Sequence, residues 1–154
     1  MIEIVTVGGR KSEAHIAGQN RLERIFQAKK YETRQEEKVV TFEGKEYWLD
    51  VFVFIKIENF HTKIDEVPIM GLEVDTYEYG SQKKKSPRHI RNRDSAIMET
   101  LSIPVVRIDV DALKEGRRKT KYYLSDAQIF NYCNMKLSQY KSNPVQYMNE
   151  AQRG

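Results

Sequence analysis

Residues 71–94 read GLEVDTYEYGSQKKKSPRHIRNRD, with Glu73 and Asp75 one residue apart in a largely apolar run. Six basic side chains then follow, with no acid between Glu78 and Asp94. Upstream, Asp50 interrupts a second apolar run, YWLDVFVFI. Carboxylates on two strands that pair would suit a hard divalent cation such as Mg²⁺ or Mn²⁺, which takes oxygen ligands and keeps several waters. An ion of that kind polarises a phosphoryl oxygen and activates an attacking water, and a nearby lysine or arginine neutralises charge on the phosphate. Asp50, Glu73 and Asp75 are therefore the expected metal ligands. A plainer arrangement is also open: an exposed strand edge, with a solvated loop behind it.

The elements that must position these acids follow from periodicity. IEIVTVG reads as a short strand closed by Gly8 and Gly9. SEAHIAGQNRLERIFQAKKYE reads as a helix with Ser12 at its N-cap and Leu22, Ile25 and Phe26 on one face. Gln19 shares that face, so a polar amide points inward, either bonded to nearby backbone or lining a site. KVVTF, a turn around Gly44, and YWLDVFVFIKI give a strand, a tight turn and a longer strand. Strict alternation puts Trp48, Asp50, Phe52 and Phe54 on one side, with Leu49, Val51, Val53 and Ile55 on the other. Both sides are otherwise apolar, and an unpaired buried carboxylate is costly, so Asp50 needs a cation, a donor or a metal beside it. ENFHTKIDEVP reads as a connecting loop and IMGLEVDTYEY as the next strand, with Glu73 and Asp75 on the face opposite Leu72 and Val74.

Pro87 then opens a helix carrying Ile90, Ile97, Met98 and Leu101, with Asp94 inside the apolar stripe. IPVVRIDV is a further strand, and its Arg107 is the natural partner for Asp94. LSDAQIFNYCNMKLSQYK is a helix with Ser125 and Gln128 at capping-box spacing, and NPVQYMNEAQRG adds a short helix or frays. The order β-α-β-β-β-α-β followed by helix predicts an α/β fold, a mixed sheet between helices. Residues 1–113 form the expected core, and 114–154 a basic, helical extension of the same domain.

At 154 residues, with 40% apolar side chains, the chain suits one domain with one core. No apolar run approaches the ~20 residues of a membrane span, and the N-terminus lacks the pattern of a signal peptide. A single Cys133 permits no internal disulfide, so a reducing, cytoplasmic setting is expected. Basic residues outnumber acidic ones by 26 to 22. Their placement matters more than the excess. Lys83, Lys84, Lys85, Arg88, His89, Arg91 and Arg93 form one cluster, and Arg117, Arg118, Lys119 and Lys121 another. Together they suit a phosphate backbone, although a basic run is also what an ordinary solvated surface looks like. His15, His61 and His89 lack metal-ligand spacing and one cysteine cannot make a zinc cluster. No phosphate-binding glycine motif or nucleophile elbow is present.

The segments TRQEEKVVTFEGKEYWLDVFVF, GLEVDTYEY and RNRDSAIMETLSIPVVRID, taken in order, resemble the PD-(D/E)XK nuclease superfamily. The resemblance is closest to its very-short-patch-repair-like branch, which includes related homing endonucleases, and it covers about Glu13 to Asp109. It implies a restriction-endonuclease-like sheet and Mg²⁺- or Mn²⁺-dependent hydrolysis of phosphodiesters in DNA by a homodimer. Asp50 matches the first metal-binding acid and Glu73 the acid of the second motif. Asp75 stands where many relatives carry the catalytic lysine, E-x-D being usual in this branch. Arg93 and Asp94 match the charged pair of the second core helix. Two positions depart from the pattern. The helical glutamate falls on Gln19, with Glu23 and Glu13 as substitutes. The histidine expected after E-x-D is absent, since Gly80 and Ser81 sit there, leaving His89 or one of Lys83, Lys84 and Lys85, with Lys85 assigned here, to serve in catalysis. A silent nucleic-acid-binding module, or a subunit of a recombination or transposition assembly, is the alternative on the same fold.

Overall fold

Ser12 caps the first helix, α1 (Glu13–Ala28): its side-chain oxygen accepts from the His15 N–H at 3.0 Å. The computed structural model describes residues 11–61, 63–76, 87–115 and 121–153. After α1 come β1 (Glu32–Val40), β2 (Glu46–Glu58), β3 (Ile64–Asp75), α2 (Pro87–Leu101), β4 (Val105–Asp109), α3 (Val110–Leu113), α4 (Asp126–Ser142) and α5 (Pro144–Arg153). The strands form one mixed sheet in the order β1-β2-β3-β4, antiparallel except for the parallel β3–β4 pair, whose crossover contains α2. The expected α/β plan, a mixed sheet flanked by helices with a helical C-terminal extension, is the plan observed.

Each face of the sheet carries its own apolar layer. Leu22, Ile25 and Phe26 of α1 meet Val51, Val53, Met70, Leu72 and Val74, and α4 adds Ile129 and Cys133 to the same layer. Across the sheet, Ile97 and Met98 of α2 pack with Leu49, Phe52, Phe54 and Val105, joined by Tyr140 of α4 and Tyr147 of α5. Burial pushes the Cys133 thiol up to about 12, so it is a packed apolar group rather than a nucleophile. The Tyr147 hydroxyl donates to the Val105 carbonyl at 3.0 Å, fixing α5 to β4. Gly71 is required by close approach, because a Cβ there would come within 2.9 Å of the Leu49 methyl groups.

α4 and α5 are thus packed into these layers, and Arg21 ties the segment leading into α4 to α1. Its side chain is only 1% exposed. The guanidinium donates to the carbonyls of Ala112 and Leu113 at 3.2 Å, to Leu124 O at 2.7 Å and to Asp126 Oδ1 at 2.8 Å. It also lies over the Tyr123 ring, 4.7 Å from the centroid.

Three element boundaries differ from expectation. β1 starts at Glu32 and ends at Val40 rather than running over Lys38–Phe42. It is an edge strand, so its polar residues face solvent and disguise it in the sequence. β3 begins at Ile64, and the turn before it is organised by Asn59 Oδ1, which accepts from the N–H groups of His61 at 2.8 Å and Lys63 at 3.2 Å. Pro68 is tolerated inside the strand because it lies opposite Phe54, where the β2–β3 register shifts and one ladder donor is dispensable. Beyond β4, Asp109 caps the unanticipated α3 by accepting from Asp111 N at 2.9 Å. The strand expected at residues 2–7 lies outside the described residues.

Candidate functional site

The alternation expected along β2 breaks at Asp50. Tyr47, Leu49, Phe52 and Phe54 all belong to the α2 layer, whereas Val51 and Val53 belong to the α1 layer. The strand therefore changes face between Leu49 and Phe52, and Asp50 turns toward α1 instead of sharing a side with Phe52. The neighbouring strand is irregular at the same level. Glu36 adopts a left-handed backbone (φ 56°), and regular pairing holds on either side of it, at Gln35↔Val51 and Glu37↔Leu49. A left-handed residue inside a strand re-aims its neighbours as a bulge does.

At this point the β2–β3 ladder is completed by side chains. The Asp50 N–H donates to Glu73 Oε2 at 2.9 Å, and the Val74 N–H donates to Asp50 Oδ2 at 2.8 Å. Each strand thus lends a carboxylate to the other's backbone, and both carboxylates are buried, Asp50 at 5% and Glu73 at 7% exposure. Around Asp50, α1 and the residue before its cap supply the polar groups. Lys11 Nζ donates to Asp50 Oδ1 at 2.8 Å, to Gln19 Oε1 at 2.8 Å and to Glu36 Oε2. His15 Nε2 lies buried 3.1 Å from Asp50 Oδ2 and pairs with it when the ring is protonated. Gln19 points inward as expected, and its Nε2 donates to Gln35 Oε1 at 2.8 Å.

Around Glu73, α2 and β4 supply the charge. Arg93 places Nη2 3.4 Å from Glu73 Oε2 and donates through Nη1 to Asp94 Oδ1 at 2.9 Å. Arg107 donates to both oxygens of Asp94, at 2.7 and 2.9 Å, so the expected ion pair is present. It also donates to Asp75 Oδ1 at 2.8 Å. Asp75 is consequently drawn away from Asp50. The period of two does put Glu73 and Asp75 on one face, but the parallel register sets Arg107 beside Glu73 and within reach of Asp75. Among the described residues, no three His, Cys, Asp or Glu side chains are grouped to hold a metal, so the clasp of three acids is not formed.

These surroundings drive the two carboxyls apart. Burial and the Asp50 charge push Glu73 up to about 7, against the lowering influence of Arg93 and Arg107. Burial also acts to raise Asp50, but His15 and Lys11 outweigh it and bring that carboxyl down to about 2. In Lys11, burial favours loss of the proton, yet the Asp50 and Glu36 carboxylates prevail and hold the ammonium above its ordinary value. Folded Glu73 keeps a proton that the unfolded chain gives up near 4.5, so its contribution to stability is full below 4.5 and is lost as pH rises through 7. Asp50 has the opposite sign, stabilising above 3.8 and losing that contribution as pH falls toward 2. Glu73→Gln is therefore expected to abolish a decline in stability of about 3 kcal/mol between roughly pH 4.5 and pH 8. Urea unfolding of both proteins across this range checks it, and parallel pH curves would refute the assignment.

Of the residues anticipated for chemistry, Asp50 and Glu73 are linked through each other's strand backbone, Asp50 turned toward α1 and Glu73 toward α2; Gln19 meets Asp50 through Lys11 Nζ, and Asp75 is bound to Arg107. Arg88 and His89 are exposed in the first turn of α2, while Arg93 is committed to Glu73, Asp94 and the Trp48 carbonyl. Lys83, Lys84, Lys85, Arg117, Arg118 and Lys119 lie outside the described residues, as does the Arg91 side chain. Lys11, His15 and Glu36 join the site without having been anticipated. Mg²⁺ commonly takes one or two protein carboxylates and fills its octahedron with water and phosphate oxygen; of the acids here, Asp50 is answered by Lys11 and Glu73 lies on the α2 side near Arg93. Set against protein-family models, curated proteins and solved structures, the chain matches none.

Proposed function

We propose that the chain is a Mg²⁺- or Mn²⁺-dependent endonuclease that hydrolyses phosphodiesters in DNA. One observation carries the reading: Asp50 and Glu73, buried on adjacent strands, each complete the other strand's backbone ladder beside a lysine, a histidine and an inward-facing amide. Carboxylates this deeply buried need a cation, and Asp50 has its lone pairs directed at one already. When bound, Mg²⁺ would supply Lewis-acid polarisation of the phosphate and activation of water. Asp50 and Glu73 would hold that ion, and Gln19 Oε1 lies beside Asp50 through the Lys11 Nζ they share. Asp75 acts one step removed, orienting Arg107, which with Arg93 compensates the charge of Glu73. Arg88 and His89, with the lysines and arginines at 83–85 and 117–119, supply attraction for the DNA backbone, so affinity falls steeply as salt rises.

A symmetric pair of copies would bring two such sites to the two DNA strands. Among the described residues no helix is long and apolar enough to cross a membrane. The buried, unreactive Cys133 suits a reducing, intracellular environment.

Supercoiled plasmid and single-stranded DNA, incubated with Mg²⁺ or Mn²⁺ and separately with chelator, test the proposal. Nicking or linearisation that requires metal is expected. A second reading, a silent nucleic-acid-binding module or a subunit of a recombination or transposition complex, draws support from Lys11, whose ammonium already answers Asp50. DNA retention without cleavage under every metal condition would favour it.

A further inference from the structure

Trp48 is the chain's one tryptophan, and it stands on β2 two residues before Asp50. Its neighbours Tyr47 and Leu49 both belong to the α2 layer, so Trp48 projects from the other face of the sheet, the face to which Asp50 turns. Two residues of strand span about 7 Å. The indole is therefore within reach of a base whose phosphate lies at Asp50.

A single exposed aromatic side chain is ordinary, but three observations set this one apart. It belongs to a patch: Trp48 is 42% exposed, Val40 52% and Phe42 79%. Lys38 pairs across from Trp48 and Val40 across from Glu46, so β1 sets both Lys38 and Val40 on the face that carries the indole. The patch is also held in place. The Trp48 carbonyl accepts from Arg93 Nη2 at 2.5 Å, and at the hairpin tip the Phe42 N–H donates to Thr100 Oγ1 at 3.2 Å. Lastly, positive charge borders it. About one turn before Arg93, α2 exposes Arg88 and His89, and Lys38, which meets Glu46 at 3.2 Å, lies beside the indole.

An exposed aromatic ring next to cations is how proteins hold unpaired bases, the ring taking the base face and the cations following the backbone. In a perfect duplex each base is covered above and below by its neighbours, so only a single-stranded or extruded base can lie flat on such a ring. We infer that Trp48 is a stacking platform for an unpaired base of the DNA, set beside Asp50, so that the chain selects single-stranded or locally unpaired DNA over perfect duplex. The inference rests on the reading of Asp50 and Glu73 as a DNA-cleaving site, and it adds the class of substrate that site takes. Every base presents a π face, so the selection is by pairing state and not by base identity.

With one tryptophan in the chain, its emission reports Trp48 alone. The full chain, with chelator present to prevent cleavage, is titrated with a single strand, a perfect duplex and a duplex holding one unpaired base. Anisotropy of a dye on each DNA measures binding separately from stacking. Quenching by the single strand and the interrupted duplex is expected, with little change on the perfect duplex. Trp48→Leu, which keeps apolar bulk but loses the ring, is expected to weaken binding of the first two about tenfold and to leave the perfect duplex unchanged. Trp48→Phe, which keeps a ring, is expected to restore most of that loss. Circular dichroism checks that each variant is folded, and the parent's emission decides the matter should Trp48→Leu unfold. Binding of all three DNAs with no change in emission would overturn the platform while leaving the DNA reading intact. Emission that changes with protein concentration in the absence of DNA would assign the patch to contact between copies and overturn it as well. Failure to bind any of the three DNAs would remove both this inference and the nuclease reading beneath it.

Discussion

Asp50→Asn is expected to reduce metal-dependent cleavage about a thousandfold, the scale on which a single electrostatic stabiliser acts in an enclosed site. The fold should survive, because the asparagine carbonyl can still accept from the Val74 N–H that Asp50 Oδ2 accepts from now. DNA retention on a filter should change little, since the basic residues at the head of α2 are untouched. A second signature separates loss of a ligand from general damage. The Asp50 charge is part of what holds Glu73 near 7, so in the variant Glu73 should titrate closer to its ordinary 4.5. Carbon NMR of labelled glutamate side chains reads this directly. Unchanged cleavage would end the case for Asp50 as a ligand, and a Glu73 titration that stays put would show that burial alone accounts for it.

Arg21→Ala should cost about 3–5 kcal/mol of unfolding free energy, a third or more of what a typical domain possesses. The guanidinium satisfies the carbonyls of Ala112, Leu113 and Leu124 together with Asp126, and water cannot easily replace it where the side chain is 1% exposed. Arg24, also on α1, offers the control. It is 60% exposed at its side chain and pairs with Glu115, so Arg24→Ala should cost under about 1 kcal/mol. Urea denaturation of the pair measures the difference. Similar losses would mean that Arg21 is charge on a surface and does not staple the C-terminal helices in place.

The sequence made some of this legible and hid the rest for identifiable reasons. Helical spacing alone was enough to turn Gln19 inward, and a lone acid on an apolar stripe was enough to pair Asp94 with Arg107. Ser125 and Gln128, by type and spacing, announced the start of α4, where both halves of the capping box are formed. By contrast, neither the left-handed backbone at Glu36 nor the break in β2 alternation at Asp50 has a sequence signal, since glutamate rarely adopts that conformation. Lys11 precedes its helix, where periodicity assigns no face at all. Asp75 was misplaced because its fate depends on the register of a parallel partner strand, which no local pattern encodes. β1 was shortened because an edge strand with a polar face looks like loop. What was readable came from local periodicity, and what was missed came from contacts between strands.

The kink at Glu36 also bears on how two copies of this chain can meet. Among the described residues β1 is the outer strand of the antiparallel side, and an unbroken outer strand invites a second molecule to extend the sheet across a twofold axis. Here one residue in mid-strand points its amide and carbonyl out of sequence with its neighbours, and Arg34 and Lys38 on the same strand add charge. A continuous two-copy sheet joined along that rim is thereby disfavoured. Any twofold pairing that serves cleavage of both DNA strands must be made through helices or through the opposite rim.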